Sequence, residues 1–183
     1  MSKLELISYY SRLGDYPTKY SLSSMRLAAY LSGQPQLSDL EIKITPVNLE
    51  EPGSIIAQKL AKNRADIVGL PAYMWTSQKS REVAEALAEI SPDILTVLGG
   101  PDTATFDYSN WATYSLFVLG EGEIPLQWIQ EKKLRALFLK EQNQMNCIRL
   151  YFHIEKKELM RYPSLKKNYL QEFLCSLKDS WVY

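Results

Sequence analysis

Asp66-Ile67-Val68-Gly69-Leu70-Pro71 is the stretch on which the fold turns. Its apolar residues run on without the polar alternation of a half-solvated strand, so a strand here must be covered on both faces, as central strands of a parallel sheet are. On its C-terminal side, Ser77 to Ile90 predicts an amphipathic helix. Val83, Ala84, Leu87, Ala88 and Ile90 fall on one side, and Lys79, Arg81, Glu82, Glu85 and Glu89 on the other, with Ser77 as the expected N-cap. On its N-terminal side, Pro52 to Asn63 predicts a helix opened by an early proline and carrying Ile55, Ile56 and Leu60. A buried strand flanked closely by two helices is the unit of an α/β sheet.

Further outward the alternation continues. Leu4 to Tyr10 is a short apolar run ended by Arg12-Leu13-Gly14-Asp15-Tyr16-Pro17, whose glycine and proline mark a loop. Ser21 to Ser32 places Leu22, Met25, Ala28, Ala29 and Leu31 near helical spacing, with Gly33 as its C-cap. Glu41-Ile42-Lys43-Ile44-Thr45-Pro46-Val47 alternates polar and apolar, and Pro46 confines it to an edge or a bulge. Ile94 to Leu98 and Leu116 to Leu119 supply two more strands, ending in Gly99-Gly100-Pro101 and Gly120-Glu121-Gly122-Glu123, and a last helix starts near Ile124. The expected fold is therefore α/β: a doubly wound five-stranded parallel sheet, flavodoxin-like or Rossmann-like, with ligands at the carboxyl edge of the strands.

Composition changes sharply near residue 130. All eight glycines and eight of the nine prolines stand at or before Pro125, and from Lys132 to Tyr183 there are 11 basic side chains against 5 acidic ones. Two regions are expected, 1–131 as the sheet domain and 132–183 as a basic, glycine-free extension. In the extension, Cys147 to Glu155 alternates as a strand, and Ser164 to Lys178 carries Leu165, Tyr169, Leu170, Phe173, Leu174 and Leu177 at helical spacing.

Several function classes are disfavoured at once. The whole chain of 183 residues balances 21 Lys and Arg against 21 Asp and Glu, so no global basic field attracts phosphate backbones, and no nucleic-acid partner is expected. No apolar run reaches the roughly 18 residues of a membrane span, and Glu5 interrupts any secretory core, so a cytoplasmic address is expected. Two cysteines, Cys147 and Cys175, and the single His153 are too few for a structural zinc site or a four-cysteine iron–sulfur cluster within one subunit, and no metal ligand is predicted.

At the ligand edge, Pro71-Ala72-Tyr73-Met74-Trp75-Thr76 offers large flat side chains suited to a broad, partly apolar ring system, with core packing of Met74 or Trp75 as the competing reading. Gly99 and Gly100 allow close backbone approach to a ligand or form an ordinary turn. The same choice holds for Gly120 to Glu123. Neither Gly-x-Gly-x-x-Gly after the first strand nor a Gly-x-x-x-x-Gly-Lys-Ser/Thr loop is present, which weakens phosphate-led nucleotide binding. Pro71 stands where a response regulator would end its third strand with a phosphate-accepting aspartate.

Taken in order, Ser21 to Leu31, Ala65 to Thr76, Val97-Leu98-Gly99-Gly100-Pro101 and Val118-Leu119-Gly120-Glu121-Gly122-Glu123 resemble the N-terminal cobalamin-binding domain of B12-dependent radical S-adenosylmethionine enzymes of the methyltransferase type, over about residues 1 to 130. The resemblance implies that cobalamin is the cofactor, with the corrin over the carboxyl strand edge and the nucleotide tail buried beside the sheet. Leu13 and Gly14, Pro71 to Thr76, Gly99 to Pro101, and Gly120, Glu121, Gly122 and Glu123 are then the cofactor-binding positions. The loop from Ser11 to Pro17 lacks the histidine that ligates cobalt in other cobalamin domains, which implies base-off cobalamin without a histidine below the metal. The Cys-x-x-x-Cys-x-x-Cys motif of the radical domain is missing, so no iron–sulfur cluster and no radical chemistry are expected in this chain alone, and a radical partner domain or protein is implied. Two other readings remain: a degenerate, non-catalytic domain that dimerises or docks through its C-terminal extension, and a flavin or nucleotide binder.

Overall fold

The computed structural model describes residues 2–11, 19–105, 115–120, 122–130 and 147–152. Six strands form one parallel sheet: β1 (Ser2–Tyr10), β2 (Leu40–Asn48), β3 (Ile67–Pro71), β4 (Leu95–Gly99), β5 (Ser115–Gly120) and β6 (Cys147–Phe152), in the spatial order β2-β1-β3-β4-β5-β6. Four helices lie among them: α1 (Leu22–Ser32), α2 (Gly53–Lys62), α3 (Ser77–Ile90) and α4 (Glu123–Gln130). The five expected strands and their parallel, doubly wound arrangement are present. The strand expected from Cys147 is a sixth, paired in parallel with β5 from Ser115↔Cys147 to Gly120↔Phe152. The helix expected over 164–178 lies outside the described residues, as do Leu13, Gly14 and Glu121.

Each strand takes its place for a local reason. β2 is an edge strand, so Pro46, opposite Ser8, removes no hydrogen bond to a further neighbour. β3 lies between β1 and β4, with Ile67, Val68 and Leu70 buried and Gly69 and Pro71 half-buried. The chain leaves β1 for β2 in one direction and returns past it to β3. The carboxyl ends of β1 and β3 therefore diverge at the topological switch point.

The two faces of the sheet are filled differently. Side chains alternate along a strand, so Ile7, Val68, Leu70, Leu98 and Phe117 share one face. Against it α2 and α3 pack Ile56, Ala57, Leu60, Val83, Ala84 and Leu87, all with at most 1% exposure, into a closed core. The opposite face, with Leu6, Gly69 and Val97 in register, is the one toward α1 and α4.

Three local expectations need correction. The N-cap of α3 is Thr76, because Ser77 already donates its N–H (2.8 Å) and its hydroxyl (2.7 Å) to the Tyr73 carbonyl and so belongs to the first turn. Ile90 projects into solvent at the last turn of α3. On α1 the inward line is Ser24, Leu27 and Leu31, whereas Leu22 (79% exposed) and Met25 are exposed. Of the residues read at helical spacing, Leu31 is buried and Ala28 half-buried, but Leu22, Met25 and Ala29 face solvent, because buried Ser24 is polar and masks the inward line.

Candidate functional site

The site begins with three loops at the carboxyl edge. Gly100 has φ of +139°, and a Cβ built on it would lie 2.4 Å from the Ala72 carbonyl oxygen, so only glycine brings the β4 loop this close to the β3 loop. Backbone bonds lock the pair: Ala72 donates to the Gly99 carbonyl at 2.8 Å, and Asp102 donates to the Ala72 carbonyl at 3.1 Å. The one proton of the Ser77 hydroxyl is shared between the Tyr73 carbonyl and the Asp102 carboxylate. Thr76, buried, accepts from the Tyr73 N–H at 3.0 Å and lies 2.9 Å from the Pro71 carbonyl, which also accepts from Ser80 at 2.8 Å. These bonds fix the path of residues 71–76.

With that path fixed, Tyr73 and Trp75 stack outside the core, ring centroids 5.3 Å apart and planes within 6°. Trp75 is 68% exposed and Met74 is 83% exposed, which excludes the core-packing reading of both. Beneath them Tyr9, Leu22, Pro71, Tyr73, Trp75 and Thr76 line a recess of about 340 Å³. Burial holds the Tyr9 phenol well above its ordinary pKa.

The larger feature is a cleft of about 670 Å³ between the sheet, α1 and α4. Its floor is Leu6, Gly69 and Val97. Its upper sheet wall is Pro71, Gly99 and Val118. Leu27 of α1 and Leu126 of α4 face across it, and Pro101, Thr103 and Ala104 close one end. A Cβ on Gly99 would meet only Val118, at 3.8 Å, so the cleft keeps its depth at that point because no side chain enters there. At the rim, Arg26 of α1 pairs with Glu123 of α4 at 2.9 Å, and the Tyr30 hydroxyl donates to Gln127 at 3.0 Å. Polar contacts thus join the two helices while apolar space is left beneath them.

Of the sequence-derived candidates, Pro71, Tyr73, Gly99, Gly100, Pro101, Gly120, Gly122 and Glu123 line the cleft. Trp75 and Thr76 line the recess. Ala72 is buried behind the rim, and Met74 projects outward from it. The α1 wall (Ser23, Ser24, Arg26, Leu27), the floor and Leu126 were not among the candidates. Strand parity would have found the floor, since Gly69 is the one small residue in β3 and lies in register with Leu6 and Val97. Among the described residues no group of three or more His, Cys, Asp or Glu side chains could hold a metal ion, and no helix is long and apolar enough to cross a membrane.

No curated protein matches the chain in sequence. A family described as B12 binding domain matches residues 21–129. The matched span begins at the N-cap of α1 and ends within α4, the two helices that wall the cleft, and it covers more than half of the 183 residues. The chain belongs to the B12 binding domain family.

Proposed function

We propose that this chain holds cobalamin in base-off form, with the nucleotide tail in the cleft between α1, α4 and the sheet, and presents it to a radical S-adenosylmethionine partner domain or protein. One observation carries the reading: an apolar cleft of about 670 Å³, within the range of small-molecule sites, reaches the carboxyl strand edge in a chain of the B12 binding domain family. The residues suit the group. Leu6, Val97, Leu27 and Leu126 match a flat apolar base, Gly99 leaves room for it, and the stack of half-buried Tyr73 on exposed Trp75 offers an apolar platform at the edge where the corrin belongs. Bound cobalamin supplies a cobalt centre that accepts and passes on a methyl group.

What the chain itself contributes is binding and orientation. Leu6, Val97, Leu27 and Leu126 would hold the base in the cleft, and the 11–17 loop contains no histidine that could take its place as a ligand. The Arg26–Glu123 pair bridges α1 and α4 at the rim of the cleft that would hold the tail.

The test is a titration of the purified chain with hydroxocobalamin and methylcobalamin, followed by gel filtration and visible spectroscopy. Co-elution with a base-off spectrum is expected. Gly99→Leu, which puts a side chain into the cleft without forcing a positive φ, should weaken binding at least about tenfold, equivalent to ~1.4 kcal/mol. No binding at tens of micromolar, or undiminished binding by a folded G99L, would overturn the assignment.

A further inference from the structure

Resting on that reading, we infer that the cleft selects cobamides by the polarity of the lower base: it takes an apolar ring such as dimethylbenzimidazole and discriminates against a purine. The grounds lie in what the polar groups of the lining already do. Ser24 donates to the Ile7 carbonyl at 3.2 Å and lies 2.7 Å from the Ser21 hydroxyl. Thr103 is directed at the Gly100 carbonyl (2.6 Å) and the Val118 carbonyl (3.2 Å). Glu123 is held by Arg26 at the rim. The rim carbonyls are engaged as well: Pro71 with Thr76 and Ser80, Gly99 with the Ala72 N–H, and Gly122 with the Leu126 N–H.

Depth is left to carbon. Leu6, Val97, Leu27, Val118 and Leu126 offer neither donor nor acceptor, and Gly69 has no side chain. An adenine base would bring an exocyclic amine and ring nitrogens into this space, where, among the described residues, none of Leu6, Gly69, Val97, Leu27, Val118 and Leu126 has a side-chain donor or acceptor to pair with them. Each unpaired buried polar group costs enough to weaken binding by about tenfold. Dimethylbenzimidazole brings two methyls and a benzo ring, which gain from the same surface. The cleft therefore reads shape and apolarity where a polar site would read a hydrogen-bond pattern.

The experiment uses the full chain and four ligands of known structure: cobalamin, an adenine-based cobamide, a cresol-based cobamide, and cobinamide, which has no base. Dissociation constants are read by visible absorbance and by isothermal titration. The cresol form, which has no bond between base and cobalt to give up, should bind at least as tightly as the benzimidazole form, the adenine form at least about tenfold weaker than the benzimidazole form, and cobinamide weaker than either apolar form. Adenine binding as tight as cobalamin, with cobinamide still weaker, overturns the selectivity and leaves the cleft as the tail site. Equal binding of cobinamide and cobalamin removes the tail from the cleft, so both the placement and the selectivity fall. If none of the four binds, the cofactor reading itself fails.

Discussion

Gly100 is where a single residue matters most to the rim. Its φ of +139° and the 2.4 Å approach of the Ala72 oxygen mean that even alanine introduces strain and a backbone clash together. Gly100→Ala should cost about 1–3 kcal/mol, measured by chemical denaturation against Gly99→Ala, which meets only Val118 and should be near neutral. Tyr9 offers a second test. Burial favours its neutral phenol, so its pKa in the fold lies above the unfolded value of about 10, and the stability it contributes is complete below that pH and is lost as pH rises above it. The melting temperature of the native chain should fall through the alkaline range more steeply than that of Tyr9→Phe; equal slopes would show that Tyr9 is not the group responsible. The glycine pair at the end of β4 was legible in the sequence as a close approach to a ligand or an ordinary turn; Gly100 makes a close approach to backbone, and its partner was not legible. A glycine pair carries no record of its partner, and Ala72 lies 28 positions away in the chain.

At the scale of elements, strands were easier to read than helix faces. β3 has no polar residue between Ile67 and Pro71 and so admits one reading, and β2 carries a proline that only an edge tolerates. The inward face of α1 was not legible, because two of its helix-lining positions are polar by design of the site: Ser24 bonds the β1 backbone and Tyr30 bonds Gln127. A hydrophobic stripe cannot mark a face that is held by hydroxyls. The same point yields a prediction for the α1–α4 pair. Arg26→Ala removes a rim ion pair whose arginine is largely exposed, so its stability cost should stay below about 1 kcal/mol and shrink with added salt. Its effect on ligand dissociation, measured by stopped-flow absorbance, should be larger than its effect on melting, because the pair spans the mouth of the cleft. Loss of stability without any change in dissociation would make the pair a structural brace only.

For the whole molecule, the decisive asymmetry is between one sheet face sealed by α2 and α3 and another whose packing under α1 and α4 is interrupted by the cleft. Leu87→Ala, in the sealed core, should cost about 2–5 kcal/mol, whereas Val97→Ala, which enlarges a space already present, should cost about 1 kcal/mol. Denaturation curves of the two variants compare the faces directly, and equal losses would mean that the second face is packed after all. Sequence reading reached the architecture because alternating strands and helices imply a parallel sheet with right-handed crossovers. It missed the cleft because Leu6 and Val97 of the sheet and Leu27 and Leu126 of the helices come together only in the folded chain. The join between Gly100 and Ala72 has a consequence for protein engineering. The β3 and β4 loops are a single component, so exchanging either with that of another sheet, or changing its length, requires carrying the other along, and grafts made one loop at a time should fail to fold at the rim.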